Sequence, residues 1–344
     1  MNFIDLFCGA GGFSIGLTKK GHKLLKGFDN WKCAGEAFSS YFGKKYFSLV
    51  DLSQISSEFI YEQIGNKNVK IDLVVGGPPC QGFSSMGNQN IKDPRNQLVL
   101  AFANIIAEIK PKYFILENVH GIKGEKFENT IKRLYKLFND FGYKNICSGT
   151  LDAQDFGVPQ RRKRFFMIGS LDDNIDLTLP SPKISQKTTT VGDAIMDLVC
   201  KENNFPNHVP INHNEIVKGR YAFIKEGGKL DIKALPKKLA YGSRSDFKDN
   251  KIKNFSHIYQ RLSRYKVSGT IVPGHNAFPI HPTQPRSLTV REAARIQTFP
   301  DRCIFFGTRQ EQCIQVGNAV PPLLAESFGQ ILNLYEKKYG NTTR

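Results

Sequence analysis

The chain has 344 residues, 40% of them hydrophobic and 23% charged, the composition of a soluble globular protein with one large domain or two ordinary ones. No apolar run approaches the ~20 residues of a membrane span and the chain opens directly on strand-like MNFIDLF, so no membrane partner, no signal peptide and a cytoplasmic location are expected. A formal net charge of +17 points to a polyanionic partner, most simply nucleic acid.

In chain order, apolar strand-like runs alternate with helix-period stretches. Strands are predicted at 2–7, 24–29, 46–51, 71–75 and 113–119, and near 145–151 and 164–169. Helices are predicted from Gly11, at 33–42, 57–64, 97–109 and 127–141. Such alternation predicts a doubly wound α/β fold, Rossmann-like, with a mainly parallel sheet. Past about residue 175 prolines break the pattern (Pro180, Pro182, Pro206, Pro210, Pro236) and helical periodicity fades. The stretch 218–266 carries fourteen Lys/Arg against four Asp/Glu, with aromatics such as Tyr221, Phe223, Tyr259 and Tyr265 interleaved, which suits a nucleic-acid-binding face. From Leu288 the chain is regular again. The expected organisation is a catalytic and cofactor-binding domain at 1–175, a small irregular target-recognition domain at 176–285, and a segment at 286–344 that returns to the first domain.

Three local patterns carry chemistry. Residues 76–84 read GGPPCQGFS, directly after the strand IDLVV, so Cys80 is presented on a proline-stiffened loop at a strand's carboxyl end. A thiol placed there suits a nucleophile, although a lone Cys beside a tight turn is more often inert. Residues 5–17, DLFCGAGGFSIGL, form a strand, a glycine turn (Gly9, Gly11, Gly12) and a helix start, with spacing GAGG rather than GxGxxG. Asp29 and Asp51 fall where later strands end; each alone reads as a helix N-cap, but with the glycine turn they suggest an adenosyl pocket. Trp31, the only tryptophan, and its neighbour Asn30 stand beside it. Third, ENV (Glu117, Asn118, Val119) places a candidate general acid after the fifth strand, and QRRKR at 160–164 supplies a cationic cluster. The seven cysteines form no CxxC pair, so neither a disulfide framework nor a metal site is expected.

The ordered set DLFCGAGGFSIGL, GGPPCQGFS, ENV, QRRKR, RSLTVREAARIQTFPD and VGNAVPP resembles the DNA (cytosine-5)-methyltransferase family of bacterial and phage restriction–modification type. The resemblance implies S-adenosyl-L-methionine as methyl donor, S-adenosyl-L-homocysteine as product, and no metal. It places the cofactor among Asp5, Phe7, Gly9, Gly11, Gly12, Phe13, Asp29, Asn30, Trp31, Asp51, Leu52, Pro78, Leu98, Asn318 and Val320, with Asn30 or Trp31 over the adenine. The family commonly carries Glu at the ribose position, where this chain has the shorter Asp29. By the same resemblance, a cytosine is flipped out of double-stranded DNA and Cys80 adds to its carbon 6. Glu117 then faces ring nitrogen 3, and Arg162 pairs with the base carbonyl, supported by Arg164. DNA contacts are expected from Gln81, Ser84 and Arg95, and from Arg244, Arg261 and Arg264 in the basic region. Arg291 and Glu292 are expected to be structural. A monomer that protects host DNA is the expected form. Two alternatives stand beside it: a tRNA cytosine-5 methyltransferase, though the CFT tripeptide typical of that branch is not in this sequence, and a non-catalytic DNA-binding homologue, which would be expected to lack Cys80 or Glu117.

Overall fold

The computed structural model describes residues 1–79, 97–119, 128–182, 188–201, 204–231, 234–239, 259–272 and 278–340. Its strands are β1 (Asn2–Leu6), β2 (Lys23–Asp29), β3 (Phe47–Leu49), β4 (Leu73–Gly76), β5 (Tyr113–Val119), β6 (Asn145–Asp152) and β7 (Lys163–Ser170). The helices are α1 (Gly12–Lys19), α2 (Lys32–Phe42), α3 (Ser57–Ile64), α4 (Gln97–Ile109), α5 (Glu128–Asp140), α6 (Val191–Ile195), α7 (Glu215–Ala222), α8 (Val290–Ile296), α9 (Arg309–Asn318) and α10 (Pro322–Tyr339). The chain divides into two compact units: Met1–Phe156 with Lys163–Gln186 and Ala319–Arg344, and Gly157–Arg162 with Lys187–Asn318. The second therefore includes α8 and α9, beyond the expected border at 285.

The first unit is an α/β sheet of order β3-β2-β1-β4-β5-β7-β6. The pairs β2–β3, β1–β2, β1–β4 and β4–β5 are parallel. Strand β7 runs antiparallel to both β5 and β6, so the sheet is mixed at that edge. The reason lies in the connections. Each early strand is followed by a helix long enough to cross back over the sheet, whereas β6 and β7 are joined by a short 3-10 turn (Ala153–Phe156) and a few more residues. Burial on both faces explains why β1 and β4 read as apolar runs without alternation. One face is filled by Leu6, Phe28, Val74, Phe102, Phe114 and Phe138. The Phe114 and Phe138 rings stack at 4.1 Å between centroids. Burying each such ring contributes about 2–3 kcal/mol.

Strand order reverses at β1, between β2 on one side and β4 on the other. Loops leaving the carboxyl ends of β1 and β4 therefore diverge to opposite sides of the sheet and leave a crevice, the usual ligand position in an open α/β sheet. Helix α10 completes this unit. Its Phe328 ring lies 6.0 Å from Phe13 and 4.7 Å from Phe166, and its Glu336 receives Lys112 Nζ at 2.7 Å.

Candidate active site

The glycine turn after β1 is built on unusual backbone. Phe7 (φ 59), Gly9 (φ 52) and Gly11 (φ 88) all lie in the left-handed region. For Phe7 that conformation costs about 1 kcal/mol and marks a turn held by its surroundings. The holder is Asp29 at the end of β2: Gly9 N–H donates to Oδ2 at 2.8 Å and Trp31 N–H to Oδ1 at 2.9 Å. Below it, the buried Asp5 carboxylate accepts from Ser14 Oγ at 2.6 Å in the first turn of α1. Burial pushes the Asp5 carboxyl up to about 7, opposed by the Ser14 hydroxyl and reinforced by Asp29. Burial also raises Asp29, against the bonds from Gly9, Trp31 and Asn30. A Cβ placed on Gly9 would meet nothing within 4 Å, so open space stands over the turn. An open space floored by the Asp5 and Asp29 carboxyls fits a cationic sulfonium carrying an adenosyl group.

The other expected cofactor residues fall into two groups. Asn30 is exposed and Trp31, Phe7, Leu98 and Asp29 are half-buried at the surface of the first unit. Asp51 is exposed and caps the 3-10 turn Leu52–Gln54 by accepting from Ser53 N–H at 2.9 Å. Phe13 and Leu52 are instead buried at 4% and 2% exposure, as parts of the core. Val320 is also buried, and its carbonyl oxygen lies 2.2 Å from where a Cβ on Gly12 would stand, so α1 approaches that backbone too closely for any side chain. Asn318 lies in the second unit, exposed at the end of α9.

At the carboxyl ends of β4 and β5, register sets the next contact. Gly76 pairs with Leu116, so Gly77 abuts Glu117. The buried Glu117 carboxylate is paired with Arg164 Nε at 3.2 Å. Glu117 is opposite Phe166 on β7, which puts Arg164, two residues earlier, diagonally across on the same face. Asn118 Nδ2 donates to the Pro78 carbonyl at 3.2 Å and so fastens the start of the PPC segment to β5. This role for Asn118 was not assigned from sequence; counting register from the strand ends could have suggested it. Cys80, Gln81, Ser84, Arg95 and Arg244 lie outside the described residues.

Two of the expected arginines have partners within the second unit. Arg162 precedes β7 and leaves its pleat: its fully buried guanidinium donates to the carbonyls of Ile271 (3.5 Å) and Asn318 (3.2 Å). Around it, Gln160 Oε1 accepts from Ile271 N–H at 2.7 Å, Gln160 Nε2 donates to Gln297 at 2.8 Å, and Gln297 donates to the Val316 carbonyl at 2.7 Å. Arg162 is thus part of this unit's frame. Arg261, expected to read a DNA base, is 6% exposed, and its guanidinium donates to the carbonyls of Tyr221, Ile224, His281, Pro282 and Gln284. Arg264 is half-buried and paired with Glu226 at 3.0 Å, its guanidinium 5.5 Å from the Tyr265 ring.

Arg291 and Glu292 are structural, as expected. Arg291 donates to the carbonyls of Pro206, Pro300 and Cys303. Glu292 closes a capping box with Thr289 and takes both Arg286 terminal nitrogens at 2.8 Å. Among the described residues, no group of three or more His, Cys, Asp or Glu is placed to hold a metal ion, and no helix is long and apolar enough to cross a membrane.

The family profile described as C-5 cytosine-specific DNA methylase matches residues 1–333. The chain is 34% identical to the Type II methyltransferase M.DdeI of Desulfomicrobium norvegicum, covering 97% of this chain and 89% of that protein. It is 35% identical to the Type II methyltransferase M1.HphI of Haemophilus parahaemolyticus, covering 96% and 86%. Among solved structures, it superposes with a TM-score of 0.78 and 27% identity on an E. coli prophage protein described as a candidate DNA modification methyltransferase, covering 97% of this chain and 99% of that one.

Proposed function

Since the chain belongs to the C-5 cytosine-specific DNA methylase family and is a cytosine-5 DNA methyltransferase of restriction–modification type, we propose that it methylates a cytosine flipped out of a specific double-stranded DNA sequence, with S-adenosyl-L-methionine as donor. The observation that carries this reading is the Glu117 carboxylate, held by Arg164 beside Gly77, three residues before Cys80.

Bound S-adenosylmethionine supplies an electrophilic methyl group on a sulfonium and leaves as S-adenosylhomocysteine. Asp29 orders the glycine turn that receives it, and the buried acids favour its positive charge. The Cys80 thiolate forms a bond to carbon 6 of the cytosine, which raises electron density at carbon 5. Glu117 assists by hydrogen bonding at ring nitrogen 3 and the exocyclic amine, where negative charge would otherwise accumulate. Arg164, which shares Glu117's carboxylate, takes the contact to the base carbonyl that sequence reasoning assigned to Arg162. After methyl transfer, loss of the carbon 5 proton and departure of the Cys80 sulfur restore the aromatic ring. The enzyme acts as a cytoplasmic monomer, visiting each strand of its site in turn and protecting host DNA from a cognate endonuclease.

The test is incubation with tritiated S-adenosylmethionine and mixed-sequence duplex DNA, followed by bisulfite sequencing of DNA from an expressing host. A covalent complex should form on 5-fluorocytosine duplex with the wild type and not with Cys80→Ser. Incorporation into tRNA but not DNA, or none into either, would refute the proposal.

A further inference from the structure

We propose that Gly77 is a positioning residue for the Glu117 carboxylate: it is glycine to leave room for that group rather than to free the backbone. The inference rests on the role proposed for Glu117. The two glycines that open GGPPC serve different ends. A Cβ on Gly76 would fall 2.7 Å from the Leu6 carbonyl oxygen and 2.8 Å from the Phe102 ring, so Gly76 is required by the sheet and core. Gly77 meets neither. Its φ is outside the left-handed region, which leaves its conformation open to alanine. The three atoms nearest a Cβ there all belong to Glu117: Oε2 at 2.9 Å, and Cδ and the carbonyl oxygen at 4.0 Å.

The backbone side of this contact is the less able to retreat. The segment after Gly77 is fastened by the Asn118 bond to the Pro78 carbonyl. The carboxylate's other oxygen, Oε1, is held by Arg164. A methyl group at position 77 therefore moves the tip of Glu117, the end of a flexible side chain. Stability loses little, while the group that must meet ring nitrogen 3 is displaced. A displacement of about 1 Å at a reacting group can cost on the order of 100-fold in rate.

The experiment compares wild type, Gly77→Ala, Gly76→Ala, Glu117→Asp and the Gly77→Ala/Glu117→Asp pair, measuring kcat, KM for DNA, affinity for S-adenosylhomocysteine and Tm. Gly77→Ala should lower kcat at least about tenfold, with Tm within about 3 °C of wild type and S-adenosylhomocysteine affinity within about threefold. Gly76→Ala should melt markedly earlier. In the Glu117→Asp background, where the carboxylate is withdrawn by one methylene, Gly77→Ala should cost less than about threefold further. The inference is overturned if Gly77→Ala keeps kcat within threefold, if its penalty is equal in both backgrounds, or if it melts like Gly76→Ala. A wild type without methyl transfer refutes the proposed function instead, and the Tm arm then decides alone. With Glu117→Ala, the small Tm cost of Gly77→Ala disappears if the carboxylate causes it and persists if it does not.

Discussion

Replacing Arg261 distinguishes a scaffold arginine from a base-reading one. Its guanidinium makes four short bonds, to Ile224 and Tyr221 at 2.6 Å and to His281 and Gln284 at 2.7 Å. Truncation to Ala leaves four carbonyls without these donors in a site where the side chain is only 6% exposed. At about 1 kcal/mol each, after allowing for water entering the vacated space, the loss is about 4 kcal/mol. For a domain of 100–200 residues that lowers Tm by about 10 °C or more. Arg261→Lys retains the charge but can reach only one or two of the carbonyls, so it should recover less than half. Urea unfolding gives the free energy, and fluorescence anisotropy with a duplex under conditions where the variant is folded gives affinity. A loss of less than about 1 kcal/mol in Arg261→Ala, together with a fall in duplex affinity of more than about tenfold, would instead make Arg261 a base-reading residue.

The buried His281 should make the second unit acid-sensitive. Its Nδ1 accepts from the backbone N–H groups of Thr283 and Gln284, while Arg286, Arg261 and His208 add to the burial that lowers it to about 4, against the pull of Glu292. Because the folded value lies below the unfolded one, the unfolded chain binds more protons between about pH 4 and 6.5. About 3 kcal/mol should therefore be lost as pH falls through that window, with no change above it, in urea titrations of wild type against His281→Gln. Gly12→Ala drives a methyl into the Val320 carbonyl, which is backbone and cannot yield; we expect more than about 3 kcal/mol lost or insoluble protein, read by thermal unfolding. Arg164→Ala should lower kcat at least about 100-fold with a modest Tm change, whereas Arg162→Ala should act first on Tm; the reverse pattern would restore the sequence-based assignment.

Much of the fold was legible because its central strands are buried on both faces. IDLVV and YFILENV are short apolar runs bounded by turn residues, and β5 occupies the predicted 113–119. The direction of β7 was not legible. Strand sequence does not encode which way a neighbour runs, and only the short, helix-free connection from β6 decides it. The glycine turn, the acids and ENV could be found as residue types at strand ends. Which arginine of QRRKR joins Glu117 could not, because Arg162 and Arg164 share a face only if both lie in the strand, and β7 begins between them at Lys163.

The division is clearest at the charges and the glycines. Sequence alone determined that this chain carries a strand–glycine turn–helix unit, a cysteine directly after two prolines, an acid at a strand end and a basic excess, since each is a local pattern of residue types. Tertiary structure decided which charges are available. Arg261 and Arg264 look alike in the chain, yet one is enclosed by five carbonyls and the other is half-buried in an ion pair with Glu226. It also divided the labour of two adjacent glycines, one facing the core and one facing a carboxylate. Burial and close approach depend on what comes from distant parts of the chain, and no neighbouring residue records that.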